Sequence, residues 1–112
     1  MLFHDKTFSF LAKLDEEHHT ASIIQYISQK KTVVIPRAII HNSVEYEITS
    51  LEKKTFHQNF HVQKVLFAED SKLLTMNRRA FEDSTIKKLQ IPQNVKYLDG
   101  FSNGAKFLKK IM

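Results

Sequence analysis

An apolar pattern recurs along this chain at intervals of 22 to 24 residues. Each copy places apolar residues at the first, fourth and sixth positions of a six-residue segment, a spacing typical of neither a regular helix nor an alternating strand. The copies comprise Val62, Val65 and Phe67, then Ile86, Leu89 and Ile91, and then Leu108 and Ile111. A period of this length predicts a solenoid, because each short unit can bury its apolar face only by stacking on a neighbouring unit.

Other segments follow the same plan. The segment ITSLEKKTF matches LLTMNRRAF, so that Ile48, Leu51 and Phe56 correspond to Leu73, Met76 and Phe81, and VVIP at residues 33–36 matches LQIP at residues 89–92. We expect the strand residues to point inward and the phenylalanine to close the back of each unit. Pro92 ends its strand because proline withholds a backbone donor from the ladder. Val95 and Leu98 are expected to fill the following turn.

The predicted fold is a β-rich α/β solenoid in a single domain. Its parallel sheet is formed by the repeats of residues 49–112, with short turns or helical turns on the back. Residues 1–48 differ, because short β-branched and aromatic segments alternate there with polar turns such as DEEHH and HNS. We expect this part to be an antiparallel β cap, since a solenoid has to cover the apolar end of its first repeat.

The pieces VVIPRAI, YEITSLEKKTF, VLFAEDSKLLTMNRRAFEDSTIKKLQIPQNVKYL and LDGFSNGAKFLKKI together resemble BspA-type leucine-rich repeats over roughly residues 33 to 112. Members of that family are surface-antigen-like proteins. The resemblance implies a binding or adhesion scaffold rather than an enzyme, and it makes a position at the cell surface possible. The sequence shows no signal peptide or membrane-spanning segment, which by itself favours the cytoplasm.

Composition excludes several kinds of chemistry. The chain has no cysteine, so disulfides and thiolate ligands are absent, and two glycines are too few for the usual phosphate-binding loop. The histidines invite a metal interpretation at Glu16–His19 and at the pair His57 and His61. Both groups lie in predicted turns without a third ligand in register, so we interpret them as solvated side chains. The carboxylate clusters at residues 15–17, 69–70 and 82–83 also lie in predicted surface turns, and we expect no catalytic residue, metal or cofactor.

Basic residues recur in register, in a chain whose net charge is +5. Lys64, Lys88 and Lys110 each precede the second apolar residue of a strand, so in a parallel sheet they form a column with rungs about 4.8 Å apart. Together with Gln90, they form the predicted binding face. A secondary basic patch is predicted where Lys53 and Lys54 in one repeat correspond to Arg78 and Arg79 in the next.

These features leave three hypotheses for function. The first is a non-enzymatic module of adhesion type that binds a protein or an anionic glycan through its exposed sheet face. The second is a binder of polyanions, including nucleic acid, that uses the basic residues alone. The third is a fragment of a longer repeat protein without independent function. Alternatively, the lysines serve only to keep an exposed sheet soluble.

The last segment, FLKKIM, begins a repeat that does not reach its third apolar position. An unfinished strand leaves an open sheet edge. We therefore expect either a longer array or a homo-oligomer that is formed through residues 105–112.

Overall fold

Strands and turns make up the part of the chain that the computed structural model describes, namely residues 1–5, 9–77, 79–81, 83–92 and 95, and the backbone of residues 110–111. In chain order the strands are β1 (Leu2–Asp5), β2 (Phe10–Asp15), β3 (Thr20–Tyr26), β4 (Thr32–Ile35), β5 (Ala38–His41), β6 (Val44–Leu51), β7 (Lys64–Phe67), β8 (Thr75–Met76), β9 (Lys88–Leu89) and β10 (Lys110–Ile111).

The first sheet is parallel and has the strand order β10-β9-β7-β4. Val65 of β7 is the register partner of Val33 on one side and of Leu89 on the other, and all three side chains are buried. This confirms that the segments at residues 62–67 and 86–91 contain adjacent parallel strands, although Ile91, which was expected to point inward, lies outside β9 and is half-buried. The sheet begins at Thr32, earlier than the predicted boundary at residue 48, which falls within β6. The division of the chain into cap and repeats stays a prediction.

The second sheet has the order β1-β2-β3-β6-β5, with β8 also paired to β6. Strand β2 is antiparallel to both β1 and β3, whereas β3 runs parallel to β6. The N-terminal strands therefore share a sheet with β6 and β8, and this sheet is separate from the parallel one. Strands β5 and β6 form a hairpin whose turn residues, Asn42 and Ser43, both have positive φ angles of 51° and 63°. Such angles suit the tight turns that match the twist of a hairpin.

This second sheet curls so far that its two ends approach each other. The ring of Phe3 in β1 lies 4.5 Å, centroid to centroid, from the ring of His41 in β5. Phe3 packs against the buried core from this position. The strand-rich fold thus resembles a half-barrel joined to a short parallel sheet.

Turns, rather than helices, form the backs of the repeats within the described residues. Lys54, Gln58 and Asp83 have φ angles of 67°, 56° and 55°, in the left-handed region that interrupts a right-handed helix. The predicted helical turns and the α/β character are therefore not confirmed. Successive turns are joined by backbone hydrogen bonds, among them the bond from the Phe56 N–H to the Ala80 carbonyl at 2.7 Å.

Aromatic rings form a column through the core. The centroids of Phe10 and Tyr26 are 5.5 Å apart, those of Tyr26 and Phe56 are 5.5 Å apart, and those of Phe56 and Phe81 are 5.2 Å apart. Phe56 and Phe81 are both fully buried at the back of their repeats, as the pattern predicts. Val95 packs partly buried against the same core, whereas Leu98 lies outside the described residues.

Candidate protein interface

The predicted lysine column follows the register of the parallel sheet. Lys64 is paired with Lys88, and Lys88 is paired with Lys110. On its other side Lys64 is paired with Thr32, so the column ends in a hydroxyl side chain on β4. Lys88 is exposed to solvent, whereas Lys64 is half-buried and is therefore less exposed than predicted. Whether these residues bind a partner stays a prediction.

A second row lies beside the column and was not predicted. Val34 and Leu66 are register partners two residues beyond Thr32 and Lys64, so they lie on the same outer face. Val34 is 51% exposed and Leu66 is half-buried. Alternation along VVI and VLF could have revealed this row, because an apolar residue between two inward-facing residues has to point outward.

The outer face of the parallel sheet carries no negative charge in its described strands. The outward positions of β4 and β7 hold Thr32, Val34, Lys64 and Leu66, and β9 contributes Lys88. Among the described residues, neither Lys64 nor Lys88 forms an ion pair. A basic column without internal counterions produces a local positive potential.

Gln90, predicted for the binding face, has a structural role. Its Oε1 accepts a hydrogen bond of 2.9 Å from the Phe67 N–H, at the point where β9 has ended. The side chain thus replaces a backbone acceptor for β7. Gln90 remains exposed, but its amide oxygen is already engaged.

Carboxylates gather instead around Arg37, just beyond the carboxyl end of β4. The Arg37 guanidinium pairs with Glu45, lies 3.6 Å from Glu47 and lies 3.3 Å from Asp70 in the turn after β7. Arg37 therefore joins the β5–β6 hairpin to the next repeat. The sequence pattern did not indicate this cluster, because its members are brought together only by the stacking of repeats.

The secondary basic patch is partly described. Lys53, Lys54 and Arg79 are exposed, and the Lys54 N–H donates to the Arg79 carbonyl at 3.0 Å. The corresponding turns of two repeats are therefore adjacent, as predicted. Arg78 lies outside the described residues, as does most of the segment 105–112 that was predicted to form an oligomer.

The histidine groups form no metal centre within the described part of the chain, which contains no cluster of three or more suitable ligands. The Asp15 carboxylate accepts hydrogen bonds from the His18 N–H and from the Glu17 N–H and contacts the His18 ring at 2.9 Å. The backbone hydrogen bond from His18 is the main cause that lowers the pKa of Asp15 below its ordinary value of 3.8. His57 Nδ1 lies 3.7 Å from Asp83 Oδ2, beyond hydrogen-bonding distance.

The described residues include no helix that is long and apolar enough to cross a bilayer.

The fold is similar to two crystal structures. One is a leucine-rich repeat protein from Bacteroides capillosus, with a TM-score of 0.60, 18% identity and coverage of 96% of this chain and 95% of that chain. The other is a leucine-rich cell surface protein from Faecalibacterium prausnitzii, with a TM-score of 0.52 and 13% identity, of which this chain, matched over its full length, spans 42%. No family model and no curated protein matches the sequence. The structural similarity, together with the repeat pattern, shows that this chain has the strand-rich fold of leucine-rich repeat proteins.

Proposed function

We propose that this chain is a non-enzymatic protein-interaction module of adhesion type, which binds its partner through the outer face of the parallel sheet. The observation that supports this most strongly is the pair of rows on that face. One row is basic, with Lys64 beside Lys88, and the other is apolar, with Val34 beside Leu66. The similarity to leucine-rich repeat proteins supports the view that the chain is a binding scaffold.

The apolar row favours a protein partner. Protein interfaces combine a desolvated apolar centre with a polar rim, and charged residues are depleted at the centre. Val34 and Leu66 suit the centre of such a contact, and the lysines suit its rim. Lysines at a rim affect mainly the rate and salt dependence of association, while buried apolar residues provide affinity.

A polyanion is the alternative partner, and the lysine column is the observation that favours it. Adjacent rungs of a sheet are about 4.8 Å apart, so the ammonium groups form a dense positive line. An anionic glycan or a nucleic acid backbone would bind such a line without using Val34. Its affinity would fall steeply with salt.

Paired variants test whether the sheet face is the interface. The variant K64Q/K88Q removes two charges from the face, and K13Q/K72Q removes two charges from exposed lysines outside the parallel sheet. We expect capture of a partner from extracts of the source organism by the biotinylated protein to be weakened in K64Q/K88Q and retained in K13Q/K72Q. Equal capture by both variants would show that the sheet face is not the interface.

The substitution Val34→Ser tests the class of partner. If the partner is a protein, Val34→Ser weakens capture while leaving retention on heparin unchanged. If the partner is a polyanion, the same variant has no effect on either measurement, and all binding is lost at moderate salt. That second pattern would overturn the proposed protein-binding function.

A place at the cell surface is part of this proposal. The similar protein from Faecalibacterium prausnitzii is described as a cell surface protein, and this is the support for the location. Fractionation of source cells with an antibody to this chain tests it. Recovery only in the cytoplasmic fraction would contradict it.

A further inference from the structure

A cavity of about 410 Å³ opens at the carboxyl ends of β7 and β9. Its described walls come from the turn after β7 and from the residues that follow β9. They are Phe67, Ala68, Glu69, Ser71, Gln90, Ile91 and Pro92. This is the end of the sheet opposite to the lysine column, since Lys64 and Lys88 begin the same two strands.

The cavity forms because the ladder between β7 and β9 stops early. Along this ladder the Lys88 N–H donates to the Gln63 carbonyl, and the Gln90 N–H donates to the Val65 carbonyl. The next bond in this series would run from residue 92 to the Phe67 carbonyl, but Pro92 has no N–H. The chain therefore leaves the sheet at this point, and the Phe67 carbonyl lacks its ladder donor.

The polar groups at this cavity include two acceptors. Glu69 is exposed and forms no ion pair among the described residues. The Phe67 carbonyl, which has no ladder donor at residue 92, adds a second acceptor. Ile91 and Pro92 contribute apolar wall, against which an aliphatic stem can pack. A cavity with these walls suits a cation that carries an alkyl chain, as arginine and lysine side chains do.

The preceding repeat contains a comparable contact within the chain itself. Ile35 of β4 is the register partner of Phe67, and Arg37 follows Ile35 at the offset at which Glu69 follows Phe67. At the carboxyl end of β4, the Arg37 guanidinium lies 3.3 Å from Asp70. The sheet thus receives a guanidinium of its own beside β4, whereas the next position along the same sheet end has an open cavity with Glu69.

We propose that this cavity binds an arginine side chain of the protein partner. The inference rests on the proposed function, because it requires that the partner be a protein. Arginine is preferred to lysine because its planar fork of donors can reach the Glu69 carboxylate and a backbone carbonyl together. The partner then contacts the sheet with acidic groups over the lysine column and with a basic group at the opposite strand ends.

The test uses N-acetylarginine amide as a probe and backbone amide NMR shifts of the full chain as the readout. We expect saturable shifts at Phe67, Glu69 and Gln90, and none with N-acetylcitrulline amide, which has the same shape without the charge. Glu69→Gln should weaken the binding of the arginine probe about tenfold or more, as expected when a charge-assisted hydrogen bond is lost. Glu16→Gln, at an exposed carboxylate in the β2–β3 turn, is the matched control and should change nothing.

Several results would overturn the inference. They are equal shifts with the citrulline probe, unchanged arginine binding in Glu69→Gln, or no saturable shift at these three amides. The failure of this inference can be distinguished from the failure of the proposed function. If arginine fails to bind while capture of the partner still depends on Lys64 and Lys88, only the cavity inference is wrong. If arginine binds but capture is independent of the sheet face, the proposed function is wrong.

Discussion

Phe56→Ala should destabilise the fold more than most single substitutions in this chain. The side chain is 0% exposed and lies between the rings of Tyr26 and Phe81, at centroid distances of 5.5 Å and 5.2 Å. Truncation of a buried phenylalanine costs about 3–5 kcal/mol, and the loss of two ring pairs places Phe56 toward the upper end of that range. We therefore expect a loss of about 4–5 kcal/mol, a large part of the total stability of a domain of this size.

The assay is urea unfolding followed by circular dichroism, with the slope of the transition checked for two-state behaviour. Phe60→Ala is the matched control, because the same substitution four residues away removes a ring that is 62% exposed. We expect it to change stability by no more than about 0.5 kcal/mol. Phe56→Leu keeps most of the volume and should fall between the two. If Phe60→Ala were as destabilising as Phe56→Ala, the aromatic column would not be the core.

Three further predictions follow from buried or hydrogen-bonded groups. Leu89→Ala removes a fully buried side chain from β9 and should cost about 2–5 kcal/mol in urea unfolding, whereas Lys88→Ala beside it should be nearly neutral. Thr55→Val should cost about 1–3 kcal/mol by the same assay, because the buried hydroxyl donates to backbone carbonyls at 3.0 Å and 2.6 Å that would lose this donor. NMR titration should give Asp15 a pKa below 3.8. Because this folded-state pKa is lowered, the stabilisation from the Asp15 carboxylate is present above its unfolded pKa and is lost as the pH falls through the folded one. A stability difference between the native chain and Asp15→Ala that grew on acidification would contradict this sign.

Much of the repeat core could be predicted because its information is local. In a strand, successive side chains point to opposite faces, so the apolar offsets of Val65 and Leu89 indicate which residues are buried. The equal offsets of Phe56 and Phe81 similarly indicate equivalent places in two repeats. A parallel pairing of β7 with β9 follows, because repeats that stack in the same orientation bring equivalent strands side by side. Lys64 and Lys88 are paired for the same reason, since they occupy equivalent positions in successive repeats.

The sequence by itself thus determined the inward faces of Val65, Phe67 and Leu89 and the alignment of Lys64 with Lys88. Only the tertiary structure decided where the parallel sheet begins. Thr32 pairs with Lys64, but the β5–β6 hairpin lies between these two residues in the chain, so their spacing does not follow the repeat period. That hairpin brings His41 to Phe3 and places Arg37 near Asp70, which are contacts between residues far apart in sequence. The cavity also depends on the tertiary structure, because the missing N–H of Pro92 interrupts a ladder of hydrogen bonds only where β7 is the neighbouring strand. A proline in sequence shows which donor is absent, but the fold decides which carbonyl is left without it.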